Sequence, residues 1–188
     1  MAKKKTSAPA PQYPRFFQRS PIDLKDTIYH AFDLGQVAFQ YPLTTVHGVV
    51  EGEPHHAKVT LTDDVRIPLF GLKLKLQQLH FHAPSEHLIS GVAWPLELHL
   101  VHQIEGGQSG ATVGSHLLVI GIFYFASEEA PKQRALPKIA QFLDTTQKLQ
   151  KSKGDWKLQT IEFNPNNCLP DLADRPRFYR YEGSLTSG

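Results

Sequence analysis

The fold is decided by the stretch Gln78-Leu-His-Phe-His-Ala-Pro-Ser-Glu-His87 and by the segment Leu96-Glu-Leu-His-Leu-Val-His102 that follows it. Just before the first stretch, apolar and polar residues alternate over Leu72–Leu76, which is the period of a half-buried strand rather than of a helix. Continued through the stretch, this alternation predicts that Leu79 and Phe81 share one face of the strand. The other face then carries three polar side chains: Gln78, His80 and His82.

The second segment has the same period, so Glu97, His99 and Val101 are predicted to share a face while the intervening leucines pack behind. The link over residues 85–95 contains Ser90-Gly91 and is short enough to return the chain as an antiparallel neighbour. The sequence therefore predicts two paired strands with polar side chains on a common face.

Three histidines can converge on this face, His80 and His82 from one strand and His99 from its neighbour. Three imidazoles with an open fourth position form the ligand set of a catalytic zinc ion, whereas a structural zinc site has four protein ligands. Gln78 and Glu97 each precede a histidine by two residues, where they are suited to accept a ring N–H and orient the imidazole.

A His-x-His pair on a strand is also a common surface or packing feature, and this alternative stays open on spacing alone. The apolar strands around the pair favour ligation, because an unpaired buried histidine is costly. His87 and His102 are expected on the opposite strand faces, so we do not expect a fourth protein ligand. The pattern therefore favours a catalytic zinc site over a structural one.

Length and composition indicate one globular domain with no sign of a macromolecular or membrane partner. The chain has 188 residues and a net charge of +2, and its basic residues form no stripe with interleaved aromatics, so no nucleic-acid binding is expected. No apolar run reaches the length of a transmembrane helix, so no membrane partner is expected either. Cys168 is the only cysteine, which excludes an intrachain disulfide.

Residues 1–14 are predicted to form a disordered basic and proline-rich tail, and residues 15–188 the domain. Lys3-Lys4-Lys5 is not followed by the apolar region of a signal peptide. We therefore expect a cytoplasmic protein, or a periplasmic or secreted one if its N-terminus was trimmed.

Further elements are predicted from local patterns. Short strands are expected at Val37–Tyr41, Ala57–Leu61 and 156–163, and a helix from about Pro137 to Gln150. Residues 116–125 are almost all apolar and are expected to form a central strand that is covered on both faces.

The motif His80-Phe-His-Ala-Pro-Ser-Glu-His87 with Glu97-Leu-His-Leu-Val-His102 resembles the zinc signature of the α-class carbonic anhydrases. Three further segments resemble parts of this family, in the family's order. Ser20–Leu24 resembles an early segment, Leu117–Phe123 resembles the buried central strand, and Tyr181–Thr186 resembles the segment with the gatekeeper threonine. The resemblance implies a mainly β fold, with a large, twisted, mostly antiparallel central sheet and a few short peripheral helices.

The resemblance also implies a cofactor and a reaction. Zinc (Zn2+) would be held by His80, His82 and His99, and its bound hydroxide would attack carbon dioxide to give bicarbonate and a proton. Thr186 would accept a hydrogen bond from the hydroxide and direct its own proton toward an ionised, buried Glu86. The partner is then a small molecule, carbon dioxide or bicarbonate, and the protein is expected to be a monomer or a homodimer.

By the same resemblance, Val101, Val119 and Leu185 would form the apolar wall where carbon dioxide docks. A histidine before the family's equivalent strand shuttles protons, a role that suits a side chain with a pKa near neutrality. His55 lies at the position that matches the family's shuttle histidine, and His56 lies one residue away from it. Either of them remains a candidate. An exposed histidine pair in a loop is the alternative interpretation.

The chain departs from the family pattern by ending at Gly188, two residues after Thr186, where the family continues into further core strands. We therefore expect either a fragment of a longer protein or a product that lacks the last strands of the fold and is destabilised or relies on another chain. The alternative function is then a carbonic-anhydrase-like zinc-binding protein that is inactive or weakly active because this C-terminal part is missing. Retention of all three zinc histidines together with Glu86 and Thr186 favours the enzyme.

Overall fold

A computed structural model describes residues 20–24, 40–52, 57–105, 117–124, 159–169, 179, 181 and 183–184. The predicted tail at residues 1–14 and the predicted helix from Pro137 to Gln150 lie outside these residues. Within the described part of the chain, no helix has the length and apolar character needed to cross a membrane.

The fold is mainly β, as the sequence predicts. Its strands, in chain order, are β1 (Val46–Gly52), β2 (Ala57–Leu69), β3 (Leu72–His82), β4 (Leu88–Ile89), β5 (Val92–Ala93), β6 (Leu96–Glu105), β7 (Leu117–Tyr124) and β8 (Gln159–Phe163). Six of them form one antiparallel sheet in the order β7-β6-β3-β2-β1-β8, while β4 and β5 form a separate two-stranded hairpin. A short 3-10 helix, Pro165–Cys168, follows β8.

Two tight turns set the registers of the hairpins. Leu69 pairs with Leu72, so Phe70-Gly71 is a two-residue loop, and both of its residues have positive φ (52° and 73°). Ser90-Gly91 joins β4 to β5 in the same way, with φ of 52° and 79°. Positive φ at both loop positions gives the twist that matches paired strands, and glycine adopts it without steric cost.

A β-bulge in β3 changes the phase of its side chains. Leu76 pairs with His102 and Gln78 with Val101, so Gln77 has no counterpart in β6. The extra residue keeps the core-facing positions on one side of the sheet although their spacing shifts by one residue. The core-facing positions of β3 are Leu74, Leu76, Leu79 and Phe81. Strict alternation without the bulge would have turned the histidines toward the leucine face.

The hydrophobic core lies on the sheet face opposite to the histidines. It combines these β3 residues with Leu98 and Leu100 of β6, both fully buried. Tyr41 and Cys168 close the same core, and burial raises the pKa of the Cys168 thiol to about 12. Cys168 therefore packs as an apolar side chain with its thiol protonated.

The strand predicted at residues 116–125 is observed as β7, which within the described residues pairs only with β6. Its central position in the sheet therefore stays a prediction. An apolar run reports burial of the two strand faces and contains no information about the number of hydrogen-bonded neighbours.

The other predicted strands are partly covered by the described residues. Residues 57–61 form the start of β2, and β8 falls within the predicted strand at 156–163. Of the strand predicted at Val37–Tyr41, the structure describes only the last two residues, and neither lies in a strand.

Candidate metal centre

The register of β3 and β6 brings three histidines together on the face opposite to the core. His80 lies directly opposite His99, and His82 is two residues further along β3 on the same face. One ring nitrogen from each of the three lies within 4.8 Å of the others. Nε2 of His80 and Nδ1 of His99 are 3.2 Å apart.

The donor set and its spacing fit a zinc ion. With Zn–N bonds of about 2.0–2.1 Å in a tetrahedral arrangement, two ligand nitrogens lie about 3.3 Å apart. The 3.2 Å separation between these nitrogens of His80 and His99 is close to this value. The same separation also suits a hydrogen bond donated by the Nε2–H of His80, so the distance alone does not require a metal.

Glu97 determines which nitrogen of His99 faces the other histidines. Its Oε1 lies 2.7 Å from Nε2 of His99, and its side chain is almost completely buried. A carboxylate can only accept, so the Nε2–H of His99 donates to it and Nδ1 keeps its lone pair for the cluster. Burial by itself would raise the pKa of Glu97, but the hydrogen bonds from His87 and His99 outweigh it and hold this pKa far below its usual range.

His87 is not on the opposite face, and the expectation from strand alternation is wrong for this residue. It lies in the turn after β3, where alternation does not apply. Its Nδ1 lies 2.7 Å from Glu97 Oε1, and its backbone N–H donates to Glu97 Oε2 at 3.0 Å. His87, Glu97 and His99 also have the spacing of a metal-binding group, but these atoms are engaged in hydrogen bonds with one another.

Tyr181 extends this arrangement from a distant part of the chain. Its hydroxyl lies 2.6 Å from Nε2 of His87 and 2.9 Å from Oγ of Ser20. Burial raises the pKa of Tyr181, and the charges of Glu97 and Glu86 add to this effect against the opposing hydrogen bond with Ser20. The hydroxyl is therefore protonated and able to donate at neutral pH.

Gly121 in β7 makes room for the pair formed by Glu97 and His99. A Cβ at this position would lie 3.1 Å from Glu97 Oε1 and 3.7 Å from Cδ2 of His99. Sequence reasoning missed this residue, although a glycine inside an apolar strand is itself a signal of close approach by another group. No comparable local signal identifies His87 or Tyr181, because their contacts join residues that are far apart in the chain.

Gln78 lies on the histidine face, but the predicted hydrogen bond to His80 is not formed. Its Oε1 is buried and has no hydrogen-bond partner among the described residues. The register shift between Leu76 and Gln78 lies beside it. Because a bulge increases the local twist and redirects side chains, the two-residue spacing is not sufficient to bring this amide to the ring.

Glu86 lies next to the cluster, with its Oε2 3.6 Å from Nε2 of His82. This oxygen is buried, and within the described part of the chain it accepts no hydrogen bond. Thr186, its expected partner, lies outside the described residues, as do Leu185, His55 and His56. The structure therefore places Glu86 at the site and leaves these four positions as predictions.

The remaining pocket residues form a row beside the histidines. Val101 pairs with both Gln78 and Val119 in the sheet register, on the face that carries His99. Val101 is buried, whereas Val119 is 46% exposed. An apolar strip therefore adjoins the cluster on the β6–β7 side.

His102 lies on the core face, as predicted, and takes no part in the cluster. Its Nε2 lies 2.8 Å from the hydroxyl of Tyr41 and its Nδ1 lies 3.1 Å from the carbonyl oxygen of Leu118. A neutral imidazole satisfies both contacts, donating through Nδ1–H and accepting from Tyr41.

Comparison with known proteins gives the family. The family model of the eukaryotic-type carbonic anhydrases matches residues 10–188. Alpha carbonic anhydrase 3 of Arabidopsis thaliana is 31% identical over 172 residues, which are 90% of this chain and 55% of that protein. The chain spans little more than half the length of the curated relatives it matches, at 55% to 56% of the first three.

Solved structures show the same fold. The α-carbonic anhydrase of Photobacterium profundum is 23% identical, with a TM-score of 0.56 over 86% of this chain and 64% of that one. Carbonic anhydrase Cah3 from Chlamydomonas reinhardtii, solved in complex with acetazolamide, is 21% identical, with a TM-score of 0.57 over 91% of this chain and 69% of that one. Together with the family match over nearly the whole sequence, these findings show that the chain belongs to the eukaryotic-type carbonic anhydrase family, a family of lyases.

Proposed function

We propose that this chain catalyses the reversible hydration of carbon dioxide with a zinc ion held by His80, His82 and His99. One observation carries the proposal: three imidazole nitrogens meet on one face of β3 and β6, within 4.8 Å of one another. Nδ1 of His99 is the nitrogen available to a metal, because Glu97 engages Nε2. Membership of a carbonic anhydrase family supports this reaction over other zinc chemistry.

The residues around the cluster have separate roles in this proposal. When bound, zinc supplies the Lewis acidity that lowers the pKa of a coordinated water to about 7. Glu97 holds the ring of His99 in one orientation and one tautomer. Val101 and Val119 supply an apolar wall for carbon dioxide, which has no hydrogen to donate and favours a dry surface.

Proton handling is assigned to Glu86, Thr186 and the pair His55 and His56. The buried Oε2 of Glu86 accepts no hydrogen bond among the described residues, so it is available to a hydroxyl such as that of Thr186. A histidine with its ordinary pKa near neutrality exchanges protons readily with buffer, which supports His55 or His56 as the shuttle.

The alternative is a zinc-binding protein of the same family with little or no hydration activity. One observation favours it: Val119, on the expected pocket wall, is 46% exposed. A wall this open to water excludes solvent poorly, and the electrostatic interactions of a wet site are weaker than those of a dry one.

Zinc content and carbon dioxide hydration, measured on the same purified sample, test the proposal. We expect one zinc per chain and an activity that acetazolamide inhibits. His99→Ala should lose both zinc and activity, and His47→Ala, which removes an exposed histidine on β1, should retain both. Zinc without activity would favour the alternative, and a folded wild-type protein without zinc would overturn the site.

A further inference from the structure

Lys58 of β2 lies in the same row of the sheet as two of the three clustered histidines. The register places Lys58 directly opposite His80, and His80 directly opposite His99, across three neighbouring strands. Directly opposite residues of antiparallel strands project from the same face, with Cβ atoms about 4.5–5.5 Å apart. The row therefore places the stem of a cationic side chain next to a candidate metal ligand.

The neighbours of Lys58 in β2 agree with this orientation. Val59 is completely buried in the core, on the face opposite to the histidines. Because successive side chains of a strand alternate, Lys58 and Thr60 face the histidine side, where Thr60 lies opposite Gln78. Lys58 is itself half-buried. Its side chain is therefore partly shielded from water on the face that carries the cluster.

Lys58 differs in its place from the other described lysines and arginines. Arg66, Lys73 and Lys75 lie beyond the β3 bulge, in the part of β2 and β3 near their connecting turn. Surface carboxylates pair there with Arg66 and Lys75. Among the described residues, Lys58 is therefore the cationic side chain on the histidine side of the bulge.

The described acidic groups lie on other sides of the cluster. Glu97 is engaged by two imidazoles on the β6 side, and Glu86 follows the end of β3, with its Oε2 3.6 Å from Nε2 of His82. A carboxylate repels an anion, and an ammonium group attracts it. A small anion at the cluster is therefore favoured on the β2 side, next to Lys58, over the side of Glu86.

We propose that Lys58 is a specificity-determining residue that holds bicarbonate on the β2 side of the candidate metal ligands. The inference deepens the proposed function and rests on it, because bicarbonate is the anion that the proposed reaction forms. A lysine suits this role, since its ammonium group is a compact charge on a flexible four-carbon stem. Carbon dioxide has no charge, so Lys58 favours the product of hydration over its substrate.

The partial burial of Lys58 sets the size of the effect. Opposite charges attract weakly in water and more strongly where the surroundings are partly dry, whereas fully exposed pairs contribute little. For a half-buried lysine we expect one charge to change anion affinity by about 3- to 10-fold. Added salt should reduce the difference, because it screens charges that water still reaches.

Lys58→Gln, compared with Lys58→Arg and Lys75→Gln, tests the inference. The first variant removes the charge and the second keeps it. The third removes a charge about 15 Å from His80 along β3, beyond the screening length of about 8–10 Å. The probe is 13C-labelled formate, a singly charged oxyanion that hydration does not consume. The Kd of formate for the zinc-loaded protein is measured from the broadening of its NMR signal, and inhibition of hydration by bicarbonate is measured on the same samples.

Both anions should bind about 3- to 10-fold more weakly to Lys58→Gln. Lys58→Arg and Lys75→Gln should stay within about 2-fold of the wild type, and all variants should keep their zinc. Glu51→Gln removes a negative charge from the next position of the same row, where the register places Glu51 opposite Lys58. This variant should bind formate more tightly than the wild type does.

Two results with the variants would overturn the inference. One is equal formate affinity in Lys58→Gln and the wild type. The other is a loss in Lys75→Gln as large as that in Lys58→Gln, because net charge alone would then explain the effect. If Lys58→Gln does not fold, Lys58→Glu makes the same test: it should weaken formate binding further, and unchanged affinity would contradict the role of Lys58.

Failure of the proposed function is distinguishable from failure of the inference. A wild-type protein that takes up no zinc would overturn both. A zinc-loaded protein that binds formate through Lys58 but does not hydrate carbon dioxide would overturn the proposed function alone, and Lys58 would stand as an anion-binding residue.

Discussion

Glu97 Oε1 lies 2.7 Å from Nε2 of His99, and the same oxygen lies 2.7 Å from Nδ1 of His87. One carboxylate oxygen therefore accepts from two imidazoles, and the other accepts the backbone N–H of His87 at 3.0 Å. The side chain is almost completely buried, so water does not compete for these bonds. This carboxylate is the point where the candidate metal ligands meet the rest of the fold.

Glu97→Gln should weaken zinc binding by about 10–100-fold, because an amide presents a donor where one carboxylate oxygen accepted. His87 or His99 would then face an N–H group and turn away. Chelator competition measures the change. Glu105→Gln serves as the control, because this carboxylate lies on the same strand but pairs with Arg66 at the surface. Equal zinc affinity in wild type and Glu97→Gln would show that Glu97 does not orient a metal ligand.

Gly121→Ala should reduce zinc affinity without unfolding the sheet, because its methyl group would press on Glu97 Oε1 from 3.1 Å. Gly71→Ala is the contrasting variant: no atom lies within 4 Å of the added methyl, but its φ of +73° strains an L-residue. It should cost about 1–2 kcal/mol of stability and leave zinc binding unchanged. If both variants bind zinc alike, the space at Gly121 is not needed by the site.

Leu98→Ala should lower the free energy of unfolding by about 2–5 kcal/mol, because it opens a cavity in a fully buried part of the core. Val92→Ala should change it by less than about 0.5 kcal/mol, since that side chain is 62% exposed. Urea denaturation of the two variants measures both values. Similar losses would contradict the placement of the core on the Leu98 face of the sheet.

The stability of the protein should fall on acidification because His102 is buried in its neutral form. Burial lowers the pKa of His102 from 6.5 to about 4. Between these values the unfolded chain binds a proton at His102 and the folded chain does not, so acid favours unfolding. The free energy of unfolding should drop by about 3 kcal/mol from about pH 7 to pH 4 through this group, and it should no longer change through this group above about pH 7.5.

Urea denaturation from pH 7 to pH 4 checks this prediction in two variants. His102→Gln, which does not titrate, should show a shallower loss of stability than the wild type. His47→Gln should show a steeper loss, because the hydrogen bond and charge of Asp63 raise the pKa of His47. A raised pKa stabilises the folded state below the unfolded value, and this gain is lost as pH rises through the raised value. Parallel pH profiles for His102→Gln and the wild type would contradict the assignment.

Much of the β3–β6 pair could be predicted from local patterns. Alternation placed His80, His82 and His99 on one face, and Ser90-Gly91 indicated a turn within the link between the strands, where it is observed as the β4–β5 loop. These features are local because the two-residue period is a property of the extended backbone. The bulge in β3 was not predicted: Leu76 and Leu79 both face the core although they are three residues apart.

What surrounds the histidines was decided by the tertiary structure. Tyr181 reaches His87 across 94 residues of chain and Ser20 across 161. The position of β7 at an edge of the described sheet, and the failure of Gln78 to reach His80, also depend on how the strands assemble. Side-chain periodicity fixes the strand face on which a residue lies. The residue's hydrogen-bond partners depend on strand register, sheet twist and contacts with distant segments of the chain, which no local pattern specifies. The sequence by itself therefore determined the ligand face, and the tertiary structure decided which groups hold it in place.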